Sequence, residues 1–442
     1  MMTDLLYNID FGKYHRRLDS ARPVLPEGRI SKVVGLVAEG DSLGLSVGSL
    51  CLIKGEYNKE IKAEVIGFKE SKALLMPYGD IRGIAPGSRI MPLAHAPVVK
   101  VGDALLGRVI DGMENPIDGR EKPDLDFDYP LYGKPLNPME RKPIKEPVDV
   151  GVKAINTMMT LGRGQRVCIM AGSGVGKSML MGMITKHTEA DVIVIGLIGE
   201  RGREVKDFIN ETLGPEGLKK SVVVAATSDS PPLVRMRGAY VATAIAEYFR
   251  DKKMNVLLLV DSITRFAMSS RDVGLAAGEP PTSRGYTPSF FVQIPVLLER
   301  AGYVESGGSI TGIYTVLVEG DDINDPVGDT VRSIVDGHIV LSRALANQGH
   351  YPAIDVLASI SRVMRDVTDK EHMRLRDSAV DLIAAYKNAE DMISIGAYVD
   401  GSDAKIDRAK RYMPAINRFL CQDMGEKVTL SQGINDLKKV IN

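Results

Sequence analysis

Cysteine is scarce. The three present, Cys51, Cys168 and Cys421, are odd in number and scattered along 442 residues, with no metal-ligand spacing. That excludes a disulfide framework and suits a reducing cytosol. Long apolar runs are missing too: "VIVIGLIG" and "VLLLV" fall far short of the roughly 20 residues a bilayer span needs. The opening "MMTDLLYNIDFGKYHRR" has early acids and no apolar core, so it does not read as a secretory signal. Charge of one sign is absent, the formal net charge being −1. No global basic field therefore points to nucleic acid or an anionic membrane as the main partner. Internal repeats and low-complexity tracts are lacking as well. The chain is expected to be cytoplasmic, with peripheral work at a membrane left open.

What is present is ordinary globular composition, 44% hydrophobic and 26% charged. At about 100–200 residues per domain, the length allows two to four domains. Tyr7, Phe11, Tyr14 and Leu18 fall on one face of a short helix, although Gly12 weakens it. This terminal segment, residues 1–24, is either a docking handle or a frayed end. After the break "PVLPEG", short alternating runs such as "RISKVVGLVA" and "KAEVIGF", separated by Gly, Asp and Asn turns, predict a β-barrel over residues 25–95. The barrel holds no clustered His, Cys or paired acids, which favours packing or assembly over nucleic-acid binding. Over residues 96–350, buried runs ("RVCIM", "SVVVAAT", "NVLLLVD") alternate with helical stretches, the signature of a parallel sheet covered on both faces. Residues 351–442 carry helical periodicity.

The chemistry concentrates in "AGSGVGKSML". Gly172, Ser173, Gly174, Val175, Gly176, Lys177 and Ser178 follow a predicted strand and open a predicted helix. Glycines let backbone N–H groups turn inward around a phosphate, and the helix points its positive end at the same anion. Lys177 can reach the β- and γ-phosphates, while the Ser178 hydroxyl can ligate Mg²⁺. Ala171 stands where the strictest motif has Gly. "NVLLLVDS" ends in Asp261, a carboxylate at the same sheet edge and a second magnesium partner. In "IGLIGERGREV", Glu200 follows a buried strand, flanked by Gly199 and Arg201. It can polarise an attacking water, or simply form a surface pair with arginine.

At this point the chain resembles the hexameric rotary ATPases, specifically their type III export branch, along nearly its whole length. "AGSGVGKS", "GERGREV", "PPLVRMRGAYVATAIAEYFRD", "LLLVDSITRFAMSSRDVGLAAGEPPTSRGYTPS" and "LLERAG" are similar to export-ATPase segments. The resemblance implies a RecA-like α/β core between an N-terminal β-barrel and a C-terminal helical domain. It implies that Glu200 is the catalytic carboxylate, with Lys177, Arg201 and Arg362 in catalytic roles. Within "YPAIDVLASISRV", Tyr351 falls where the family stacks an aromatic on adenine, and Arg362 where a neighbouring subunit's site receives an arginine. Read locally, they are a core aromatic on Pro352 and a salt-bridged arginine. ATP with Mg²⁺ would be held by Gly172 through Met179 and Tyr351, with Ser178 and Asp261 on the metal.

The implied protein is a catalytic homohexamer that energises type III export, favoured as flagellar by "GRISKVVGL" and the N-terminal stripe, by releasing chaperones and unfolding cargo. Implied partners are a regulatory stator-like protein at the N-terminal segment, a central coiled-coil shaft, export chaperones and cargo, and the membrane export gate. A virulence injectisome ATPase and an ion-translocating rotary subunit are the alternatives. An RNA translocase of the Rho type fits poorly with a barrel lacking clustered aromatics and basic residues. The helix–turn–helix tip "GAYVDGSDAK" is less acidic than its rotary counterpart. There Tyr398 looks exposed, and Asp400 and Asp403 are placed to meet a shaft's basic residues or to remain a solvated turn.

Overall fold

The computed structural model describes residues 11–20, 26–56, 59–94, 96–318 and 325–441. The chain divides into two compact units, residues 1–96 and 97–442. In the first, a helix spans Phe11–Ser20, with Phe11 67% and Tyr14 57% exposed. Tyr7 lies outside the described residues. Six strands then close a barrel: Gly28–Val34, Val37–Asp41, Leu50–Lys54, Glu60–Lys69, Lys72–Pro77 and Arg89–Ala94. Alternate residues point inward, so Ile30, Ala38, Ile53, Ala63, Val65, Leu75 and Ile90 form its core. Burial pushes the Cys51 thiol inside this barrel up to about 11. It is a packing residue rather than a nucleophile.

The second unit is built on a nine-stranded sheet with a parallel centre. Its seven parallel strands run Gly337–Leu341, Arg166–Ala171, Ser309–Leu317, Asn255–Asp261, Val192–Ile198, Ser221–Ala226 and Arg108–Asp111. These strands read as unbroken apolar runs because both faces are covered. The period of two sends Val167, Ile169, Ile193, Ile195, Leu257 and Leu259 to one core. Cys168, Met170, Val192, Val194, Val256 and Leu258 go to the other, under the helices Pro232–Asp251, Ile263–Ala276 and Pro288–Leu298.

The carboxyl-terminal helices Lys370–Ser394, Ala404–Leu420 and Leu430–Ile441 do not form a separate core. Leu375, Leu382, Ile416, Phe419 and Leu437 pack with Leu180 and Ile184 of the helix Lys177–His187. The buried His372 ring bonds the Thr157 carbonyl at 2.8 Å, tying the first of these helices to the helix Lys153–Met158. Asp369 and Asp403 cap the starts of the helices at Lys370 and Ala404 by accepting backbone N–H bonds.

Candidate functional site

Parallel register decides where the chemistry meets. Ala171 pairs with Leu317, and Leu197 pairs with Asp261, so the strands carrying the glycine loop, Asp261 and Glu200 all end at one edge. The strand Arg166–Ala171, which leads into the glycine loop (the P-loop), lies between Gly337–Leu341 and Ser309–Leu317 rather than beside the next strand in sequence. Open α/β sheets bind ligands in the crevice at such switch points.

The loop turns through Gly174 (φ 78°) and Gly176 (φ 96°), left-handed values that a side chain would strain. Gly176 precedes the helix Lys177–His187 directly. A Cβ there would also come within 3.3 Å of the Tyr351 ring, so Tyr351 lies against the loop of its own chain. The Val175 side chain is buried in the hydrophobic core and anchors the loop, leaving its backbone for a ligand. Gly172, Ser173, Lys177, Ser178 and Met179 line a cleft of about 780 Å³, with Glu200 and Arg201 across from them.

At the cleft floor, the Lys177 ammonium sits 2.5 Å from Asp261 Oδ1 and 3.5 Å from Glu200 Oε1. The buried Thr315 hydroxyl donates to the same Asp261 oxygen at 2.5 Å. Burial works to lower the lysine pKa, but Asp261 and Glu200 outweigh it and hold it above its ordinary value. Burial, reinforced by the charge of Asp261 and opposed by Lys177, pushes the Glu200 carboxyl up to about 7. A group poised near neutral pH suits general base work. Arg201 stays at the exposed rim, 3.5 Å from Glu204.

The sequence reading missed Arg265, Arg235 and Arg343, which line the same cleft. Nε of Arg265 and Nε of Arg235 are buried without a hydrogen-bond partner. Gly199 makes room for Arg265, since a Cβ there would stand 2.7 Å from the arginine side chain. A signal existed: Arg265 lies four residues beyond Asp261, in the first turn of the helix Ile263–Ala276. These cationic donors, the glycine turns and the hard oxygens of Ser178 and Asp261 fit a nucleoside triphosphate with a divalent cation.

Arg362 is elsewhere. Its backbone N donates to the Asp336 carbonyl at 2.9 Å, just ahead of the strand Gly337–Leu341. That is the amino edge of the sheet, a strand length of about 20 Å from the P-loop edge. Its guanidinium is exposed, and one N–H reaches the Arg332 carbonyl at 3.4 Å.

Comparison with known proteins agrees along the chain. Residues 151–361 match the ATP synthase alpha/beta family, nucleotide-binding domain, and residues 30–93 match the beta-barrel domain of that family. Residues 368–439 match the T3SS EscN ATPase C-terminal domain. The chain is 53% identical to the flagellum-specific ATP synthase of Bacillus subtilis over 409 residues, covering 92% of this chain and 93% of that protein. It is 48% identical to the Salmonella typhimurium counterpart over 421 residues, covering 93% and 92%. The assembled ATPase EscN of the enteropathogenic E. coli type III secretion system superposes with a TM-score of 0.89 at 45% identity, covering 94% of this chain and all of that one. EscN in complex with its central stalk EscO gives 0.86 at 44% identity, covering 94% and 100%. Among the described residues no helix is long and apolar enough to cross a membrane. Barrel, nucleotide-binding sheet and carboxyl-terminal helices thus match in one chain and in order, and the protein belongs to the flagellum-specific ATP synthase and type III secretion ATPase family, ATP-hydrolysing relatives of the ATP synthase alpha/beta subunits.

Proposed function

We propose that this export ATPase works as a ring of six identical copies in which each site is completed by the next subunit. Its turnover releases chaperones from cargo and unfolds the cargo at the membrane gate of a flagellar export apparatus. The observation that carries this reading is the split of the catalytic set. Lys177, Glu200 and Asp261 cluster at one sheet edge, while Arg362 stands exposed at the opposite edge. A neighbour is the natural recipient of such an arginine. The assembled state of EscN supports an oligomer.

In this site Lys177 binds the β- and γ-phosphate oxygens, and Ser178 and Asp261 would hold Mg²⁺, which would neutralise phosphate charge. Glu200 accepts a proton from the attacking water, Arg201 lies at the rim, and Tyr351, beside Gly176, stacks on the base. Glu200→Gln should bind ATP–Mg²⁺ normally while turnover falls roughly a hundredfold or more, because the amide keeps shape and loses the proton acceptor. Since the carboxylate is the working form, wild-type activity should fall as pH drops through about 7. Infrared difference titration of wild type against the variant should show one carboxyl titrating there. Loss of nucleotide binding in the variant would make Glu200 structural instead.

Two surfaces suit partners. At the carboxyl-terminal tip the acids are engaged: Asp400 pairs with Lys410 at 2.7 Å, and Asp403 caps a helix. Tyr398 is half-buried, its hydroxyl donating to Asp407 at 2.9 Å. Exposed beside them are two apolar groups, Ile395 at 79% and Val399 at 71%. A coiled-coil shaft is gripped here by aliphatic contact at Ile395 and Val399 beside these acids, and the complex of EscN with its central stalk EscO supports a stalk partner. Phe11 and Tyr14 offer a second apolar stripe to a regulatory protein. Ile395→Ser with Val399→Ser should abolish shaft-stimulated hydrolysis, and deletion of residues 3–20 should abolish regulator binding. Both should leave basal hydrolysis intact. Unchanged stimulation or unchanged regulator binding would remove the corresponding surface.

A further inference from the structure

We infer that Asp336, assisted by Gln165 and Ser361, is a positioning residue that aims Arg362 at the neighbouring subunit's site. The inference rests on the reading of Arg362 as an arginine supplied in trans.

The segment before Arg362 is held on several sides, although the arginine itself is exposed. Asp336 accepts the Arg362 backbone N–H at 2.9 Å on its carbonyl, which also receives the Gln165 amide at 3.2 Å. The same amide donates to Ser361 Oγ at 3.1 Å, and Ser361 Oγ donates to the Thr160 carbonyl at 2.8 Å. Gln165 is fully buried, and its other end accepts the Gly162 N–H at 2.8 Å. At Gly337 a Cβ would stand 2.5 Å from the Ile360 carbonyl oxygen, so the two backbones meet without room for a side chain.

Asp336 is fixed in its turn. Its carboxylate takes the Arg166 backbone N–H at 3.0 Å and the guanidinium at 3.1 Å through both Nε and Nη2. Arg166 also pairs with Glu299 at 2.5 Å, and Glu299 with Arg141 at 2.6 Å. A fork of this geometry sets orientation as well as attraction. Arg166 is the first residue of the strand that ends in the P-loop. One strand therefore holds the subunit's own phosphate loop at its carboxyl end and the support of the exported arginine at its amino end. An arginine acting at a distance loses effect steeply when misplaced, by about a hundredfold per ångström in unfavourable cases.

The test uses mixed rings. Asp336→Asn keeps shape but weakens the fork. Turnover should fall roughly 10- to 100-fold with little change in KM for ATP, because the subunit's own P-loop is untouched. Mixed with Glu200→Gln, it should recover hydrolysis much as Arg362→Ala does with the same partner. Mixed with Arg362→Ala it should not recover, since both variants are deficient in the same donated group. Ser361→Ala is a milder change at the same segment and should fall in the same complementation class, which keeps the test decisive if Asp336→Asn folds poorly. Recovery of Arg362→Ala with Glu200→Gln, but not of Asp336→Asn or Ser361→Ala, would overturn the inference by placing the defect in the subunit's own site. Failure of the Arg362→Ala control would overturn the trans reading itself.

Discussion

Arg362→Ala is expected to lose about 10³–10⁵ in turnover while keeping its affinity for ATP. Phosphoryl transfer spreads negative charge over the equatorial oxygens, and a guanidinium placed there acts on the transition state far more than on bound substrate. In this chain the guanidinium is exposed at the amino edge of the sheet, and its own P-loop opens at the other edge. Binding, which uses Lys177 and the loop, should therefore be untouched. The loss should appear only where the protein is assembled, because a separated subunit lacks the arginine already. Nucleotide binding by calorimetry, set against steady-state hydrolysis, separates these effects. Parallel loss of both would make Arg362 a structural residue.

Lys177→Ala should abolish measurable hydrolysis, a fall of about 10³ or more, and weaken ATP binding with it. The lysine is the central cation of the site, 2.5 Å from Asp261 and 3.5 Å from Glu200. Its removal leaves two buried carboxylates facing each other with no cation between them, which is costly. Glu200, already pushed up to about 7, relieves part of that cost by taking a proton. An acid whose folded-state pKa is raised stabilises the fold least where it must ionise. The melting deficit against wild type should thus be smallest at acidic pH and grow as pH rises through 7. Near-normal hydrolysis by this variant would refute the site.

Much of the fold and of the site is legible in the amino-acid sequence. The glycine loop, Lys177, Ser178 and Asp261 announced themselves because strand, loop and helix are adjacent in sequence, and because unbroken apolar strands mark a sheet covered on both faces. Glu200 was visible through the segment "GERGREV", although its nearness to Lys177 depends on register between strands far apart in the chain. Arg265 was not recognised, since its proximity to the loop arises from the fold around Gly199. Thr315 escaped for the same reason: its contact with Asp261 crosses neighbouring strands. The tip misled in detail. Tyr398 reads as exposed, but it is half-buried and donates to Asp407, while the exposed Asp403 also caps a helix. Short polar side chains beside a helix start are commonly recruited this way. Nothing in the helical periodicity after residue 351 indicated that those helices share a core with the P-loop helix.

The most direct measurement is specific ATPase activity against protein concentration, made with and without single-stranded RNA. A site shared between subunits predicts specific activity that climbs steeply as the protein assembles and is indifferent to RNA. Specific activity that is constant on dilution to the monomer, or that depends on RNA, would contradict the account.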